Sequence, residues 1–369
     1  MRGIALVVMA MDHIPHCSLA CLFNAFGPIG FFSANSIFFF VSGIASGLAY
    51  GSTRITRGTW AAVCRACQRV RTIYLVQIGL FILVAIAGLN STAFQHHYAH
   101  FYQDPLEGTL LGLVFLYQFQ FLDILPLYVF LLLITPLAIV AYQSGKTWMV
   151  LAPSALLWGL SQFRMPPLPS NQDGPLFFLN PFSFQLVFMA GLYFGCRRRS
   201  PGAPEPAVLR SRTLLTVSAW LCAGFLILRQ IYVFYPQLVS AEISHAASLL
   251  DLKTQGPLRL LNFAAWAYLV WRINSRLPEW AFTNKVSQWL ALLGRHSLQV
   301  FAWTVILGIG FQIFVPIHVS RLGGVTETLF TLATLALPAW LHAAYQRSRQ
   351  EVTPPIFSTE FLQLRVDPS

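Results

Sequence analysis

Residues 119–142 read FQFLDILPLYVFLLLITPLAIVAY, and no residue after Asp123 in this run is charged. A helix of this length rises about 36 Å at about 1.5 Å per residue, enough to cross a hydrocarbon layer of about 30 Å. It is apolar on every side, so lipid rather than water is the expected surrounding. Comparable stretches recur outward from it, at roughly 3–22, 31–51, 70–90, 147–162, 182–196, 213–233, 257–273, 288–314 and 323–345. The expected fold is an all-α, polytopic integral membrane bundle of about ten transmembrane helices. Residues 1–345 would form the transmembrane domain and 346–369 a polar cytoplasmic tail.

Composition agrees. The 369 residues are 56% hydrophobic and only 10% charged, which excludes an ordinary soluble domain. A net charge of +11 raises the question of nucleic acid, but the distribution argues against it. Arg54, Arg57, Arg65, Arg69 and Arg71 share one short connection, and Arg197, Arg198 and Arg199 another. This is the positive-inside pattern of cytoplasmic loops, and by alternation Lys146 and the segment from Arg272 to Lys285 fall on the same side. Both termini are then cytoplasmic. His96, His97, His100, Asp104, Glu107, Asn171, Asp173, Glu242, His245 and Asp251 face outward. Cys64 and Cys67 form a lone C-x-x-C with no partners to complete a metal site, so no metal is expected.

Charged groups within a span are costly, which makes each of them a functional candidate. The first segment, MRGIALVVMAMDHIPHCSLACLF (residues 1–23), carries Asp12 and His13 where a cleaved signal peptide would be apolar, so it reads as a retained helix. Arg2 and His13 are separated by about 16 Å of axial rise and about three turns, which places both on one face of a regular helix. Guanidinium suits the phosphates of a donor entering from the cytoplasm, and a neutral imidazole can take and return a hydroxyl proton. The plainer reading makes Arg2 a headgroup anchor and His13 a partner for a neighbouring helix.

Asp123 is a second candidate, or simply a carboxylate favoured by a helix N-terminus. Arg295 and His296 in LLGRHSLQVF either contact a donor or snorkel to the interface. His245 and Asp251 either meet an external acceptor or belong to a solvated loop. Trp60, Trp148, Trp158, Trp271 and Trp280 read as interface anchors. Gly43 and Gly47 form a G-x-x-x-G spacing suited to close helix packing.

Arg2 with His13 matches the R-x10-H signature of membrane acyltransferase family 3, and FFFVSGIASGLAYG (38–51) is similar to its second-helix motif. RGIALVVMAMDHI (2–14), FLDILPLYVFLLLITPL (121–137), LNPFSFQLVFMAGLYFG (179–195) and LGRHSLQVFAW (293–303) together resemble one branch, the OpgC family that succinylates osmoregulated periplasmic glucans. The resemblance implies a multi-pass inner-membrane O-acyltransferase that uses succinyl-CoA as co-substrate, with no bound cofactor, and a periplasmic glucan as acceptor. It implies that His13 is catalytic, with Asp12 completing the branch's D-H pair, and that Arg2 holds the donor. Arg295 and Arg164 are the candidates for the donor's terminal carboxylate. Family members usually carry a cytoplasmic stretch ahead of the R-G pair, so Arg2 is expected to be less firmly held here unless upstream coding sequence supplies one. The competing expectations are a proton-coupled transporter or exporter of a sugar-like solute, with Asp12, His13 and Asp123 lining its path, and a non-catalytic assembly subunit.

Overall fold

The computed structural model describes residues 1–14, 30–168, 170–171, 173–198, 210–235, 247–274, 276–315 and 321–352. Their regular structure is α-helical apart from a 3₁₀ turn at Ala247–Leu250 and one pair of two-residue antiparallel strands, β1 (Ser170–Asn171) and β2 (Gly174–Pro175). The helices are α1 (Arg2–Asp12), α2 (Ala34–Gly88), α3 (Thr92–His97), α4 (Ala99–Gln103), α5 (Pro105–Leu113), α6 (Ile124–Gln143) and α7 (Trp148–Gln162). After the strands come α8 (Pro181–Arg197), α9 (Arg212–Phe234), α10 (Pro257–Asn274), α11 (Trp280–Thr283), α12 (Lys285–Arg295), α13 (Ser297–Phe314), α14 (Arg321–Thr334) and α15 (Leu337–Val352).

Among the described residues, five helical stretches are long and apolar enough to cross a membrane: Ala34–Gly88, Ile124–Gln143, Arg212–Phe234, Ser297–Phe314 and Gly323–Ser348. Their outward residues are unsuited to water. On α6 alone Phe130, Leu133, Ile134 and Leu137 are exposed, Leu137 to 73%. An apolar surface of this kind marks a membrane protein.

Several expected boundaries move, each for a local reason. The basic stretch from Arg54 to Arg71 is not a loop, because α2 runs through it for 55 residues. Its Ala, Arg and Gln residues are good helix formers, and the break falls at Gly58 alone, whose φ of 86° and ψ of 171° suit only a residue without a Cβ. Residues 119–122 lie outside α6, since Phe121 adopts a left-handed φ of 69°. The expected helix 288–314 is two helices meeting at His296. The amphipathic α12 carries Lys285 and Arg295 and so lies apart from the uncharged α13. The last expected span likewise divides into α14 and α15, and α15 carries helix through Val352, beyond the expected start of the tail.

Small residues set the packing at the centre. Gly43 and Gly47 on α2 meet Gly191 and Gly195 on α8. A Cβ at Gly47 would lie 2.5 Å from the Leu192 carbonyl oxygen, and one at Gly191 would strike the Phe40 carbonyl oxygen. Around this seam Phe39, Phe184 and Phe188 are completely buried. Of the expected tryptophan anchors, Trp60, Trp148 and Trp280 are exposed, whereas Trp158 is tied inward through its Nε1–H to the Gln255 carbonyl at 3.0 Å.

Candidate functional site

The helix α1 separates two chemical neighbourhoods. It is regular from Arg2 to Asp12, and His13 occupies its C-cap with helical φ and ψ. Arg2 lies against Gly294 of α12, and the backbone and Cβ of His13 lie against Gly308 of α13. Arg2 is thus packed on α12 and His13 on α13, with about 16 Å of axial rise between them along a regular helix.

At the far end His13 and Asp12 line a cavity of about 730 Å³. His13 is only 5% exposed, and its ring packs 4.2 Å from Phe121 and 6.1 Å from Phe301, centroid to centroid. Its Nδ1 is buried without a hydrogen-bond partner among the described residues. The left-handed backbone of Phe121 is what turns its ring onto the imidazole. Strain of that sort costs roughly 1–3 kcal/mol and persists where the surroundings hold it. Asp12, next in the chain, is exposed to the cavity.

The wall comes from distant parts of the chain. Gly30, with φ of 82°, and Phe31 are pinned by the Asn262 side chain, whose Oδ1 accepts the Phe31 N–H at 2.9 Å. Asp173, between the two short strands, accepts the Tyr117 hydroxyl at 2.6 Å and the His100 and Phe101 N–H groups at 3.1 and 3.2 Å. Burial and that bond to Asp173 push the Tyr117 phenol up, so it remains a neutral donor. Arg229 of α9 and Arg259 of α10 complete the polar lining with His97, Gln118 and Gln120.

Asp123 belongs to this cavity, but its carboxylate already has work. It is 7% exposed, and Oδ2 accepts the N–H groups of Phe178 at 3.0 Å and Leu179 at 3.4 Å. That joins the start of α6 to the segment after β2. Asp123→Ala is expected to leave both N–H groups unsatisfied and lower stability by about 1–3 kcal/mol. Asp123→Asn, which keeps a carbonyl acceptor, should recover most of the loss in a thermal melt of detergent-solubilised protein.

The remaining expected site residues fall elsewhere. Asp251 is not on the cavity wall. Its oxygens hold a turn, accepting the Lys253 and Thr254 N–H groups at 3.2 and 3.0 Å and the Thr254 hydroxyl at 2.8 Å. Of the two readings its sequence allows, an external acceptor or a loop residue, this geometry is that of an Asx-type turn within its own loop. Arg164, two residues past the end of α7, is an exposed left-handed residue with φ of 58°, and it does not line the cavity. His245 lies outside the described residues.

At the near end of α1, Arg295 is exposed beside Gly294, on the same side of the molecule as Arg2. Arg65, Arg69 and Arg2 all lie near enough to Tyr50 to act on its phenol electrostatically. Next to them the Nδ1 atoms of His296 and His342 are 2.9 Å apart. In the sequence Arg65 and Arg69 serve only as markers of orientation, and Arg229 and Arg259 are not among its candidate site residues. Arg229 could have been found, since it sits inside a stretch otherwise apolar enough to span, whereas Arg259 looked like a helix-end residue.

Comparison with known proteins agrees with the resemblance noted above. A family model described as OpgC protein matches residues 1–350. No curated protein and no solved structure matches.

Proposed function

Because the chain belongs to the OpgC family, a membership that points to a glucan-modifying acyltransferase, we propose that it is a multi-pass inner-membrane O-succinyltransferase. In this reading it takes succinyl from cytoplasmic succinyl-CoA and delivers it to hydroxyls of osmoregulated periplasmic glucans. It represents a branch of membrane acyltransferase family 3, crosses the bilayer about ten times, and keeps both termini in the cytoplasm. The basic residues around Arg65 and Arg295 then share the cytoplasmic face with Arg2, and the His13 cavity opens toward the periplasmic side.

One observation carries the reading: a buried imidazole and an accessible carboxylate, His13 and Asp12, share the wall of a cavity large enough for a sugar. In the proposed step His13 accepts the proton of a glucan hydroxyl as its oxygen bonds to the thioester carbon. The resulting oxyanion intermediate expels the CoA thiolate by breaking the C–S bond, and the imidazolium returns the proton to that sulfur. Asp12 stabilises the imidazolium electrostatically from the adjacent position, and Phe121 keeps the ring in place and water away from one face. Arg2 holds donor phosphates, with Arg65, Arg69 and Arg295 adding positive field at the cytoplasmic end. The thioester arm would run along α1 for about 16 Å.

The test is transfer of label from succinyl-CoA to periplasmic glucan by purified protein in vesicles. Label reaching the glucan supports the reading. Movement of a sugar-like solute across the vesicle membrane with no covalent transfer would replace it with the transporter reading. Arg2→Gln is expected to raise KM for succinyl-CoA about tenfold, equivalent to about 1.4 kcal/mol, while kcat changes little. An unchanged KM would return Arg2 to the role of headgroup anchor.

A further inference from the structure

The helices α6 and α7 are joined by the short turn 144–147 and both pack on α8, yet a groove of about 780 Å³ remains between them. On α6 its lining runs from Leu127 to Ala141, a rise of about 21 Å at about 1.5 Å per residue. One leaflet is about 15 Å deep, half of a hydrocarbon layer of about 30 Å. A lipid chain reaching from the headgroups to the middle of the bilayer therefore fits within the groove.

The interior is apolar. Leu131 and Ala138 of α6 and Met149 and Pro153 of α7 line its sides, and Phe182 and Met189 of α8 line its floor. Gln185, an amide on the same wall, donates its Nε2–H groups to the Ser154 and Phe182 carbonyls at 2.7 and 3.1 Å.

Among the described residues that line the groove, Lys146 alone is charged. The turn fixes where it stands. Gly145 is left-handed, with φ of 75°, and its N–H returns to the Tyr142 carbonyl at 3.3 Å, while the Lys146 N–H returns to the Ala141 carbonyl at 2.9 Å. This pair of bonds is the Schellman arrangement that closes a helix. The Lys146 side chain is exposed, and its ammonium has no hydrogen bond or ion pair among the described residues. Trp148, two residues on, is 71% exposed, which suits an indole at headgroup level.

We propose that this groove holds one chain of an anionic phospholipid whose headgroup rests against Lys146. The apolar walls alone do not distinguish one lipid from another, because every chain is as apolar as leucine. They fix where the chain lies, and the ammonium then selects the headgroup. Phosphatidylglycerol offers it a phosphate without an internal counter-charge, whereas phosphatidylcholine carries its own cation beside the phosphate. The groove shares no lining residue with the His13 cavity, and the proposal does not depend on the acyl-transfer reading.

The experiment equilibrates the detergent-solubilised full chain with an equal mixture of labelled phosphatidylglycerol and phosphatidylcholine of identical chains, then measures the ratio retained after washing. A net charge of +11 attracts acidic lipid over the whole surface, so the differences between variants decide. Lys146→Gln is expected to lower the ratio about fivefold, equivalent to about 1 kcal/mol for one lysine beside an anionic headgroup, and Lys146→Arg to keep it. Ala141→Trp, which fills the groove from a half-buried position, should lower the ratio by itself and leave Lys146→Gln with no further effect. A ratio unchanged in Lys146→Gln would overturn the proposal. An equal fall on adding Lys146→Gln to the groove-filled protein would also do so, since the lysine would then act only as diffuse surface charge.

Discussion

Replacing His13 with alanine is expected to lower succinyl transfer by about 10³-fold, the middle of the range for losing a positioned acid–base group. The imidazole is buried at the end of α1 and held by Phe121, and among the described residues no second histidine is placed to substitute. His97 also lines the cavity, but it belongs to α3 and packs edge-on against Tyr98 at 4.7 Å. The substitution leaves a void beneath Phe121, so chromatographic behaviour in detergent and donor binding should be measured beside turnover. A folded His13→Ala protein that still binds succinyl-CoA but fails to transfer isolates the chemical step. Transfer within tenfold of native would rule His13 out as the general base and leave it as a packing residue.

Gly191→Leu is expected to prevent accumulation of folded protein. The added side chain starts against the Phe40 carbonyl, and a Cβ at Gly195 would likewise strike the Ile44 carbonyl oxygen and lie 3.0 Å from the Gly47 Cα. These neighbours are main-chain atoms of α2, which cannot rotate aside as a side chain could. The two helices would have to separate along a seam where Phe39, Phe184 and Phe188 are fully buried. Overpacking of a tight contact costs about 1–3 kcal/mol, and separation of the helices adds lost dispersion contacts. Gly159→Leu on α7 is the control, since a Cβ there meets nothing within 4 Å. A thermal midpoint for Gly191→Leu equal to that of the control would show that α2 and α8 can slide apart without loss.

Much of this was legible in the chain. The apolar runs identify lipid as the solvent because their average character survives any rearrangement of neighbours, and α6 and α9 lie close to where the pattern puts them. The three-turn spacing of Arg2 and His13 is local helix geometry and needs no tertiary information. The Gly43 and Gly47 motif announced a close contact, yet its partner Gly191 and Gly195 could be paired with it only in space. Boundaries failed where helix propensity outlasted the change from lipid to water, as through Arg54 to Arg71.

The sequence by itself determined an apolar, helical chain and the residues most costly to bury, because transfer energies and helix period act residue by residue. Only the tertiary structure decided what those residues do. It occupied Asp123 and Asp251 with backbone N–H groups, turned Phe121 onto His13, and brought Arg229 and Arg259 to the same cavity from helices far along the chain. The reason is physical: a charge in an apolar bundle must find partners, and those partners are set by which helices pack together, a choice made by glycine seams and aromatic contacts across long sequence separations.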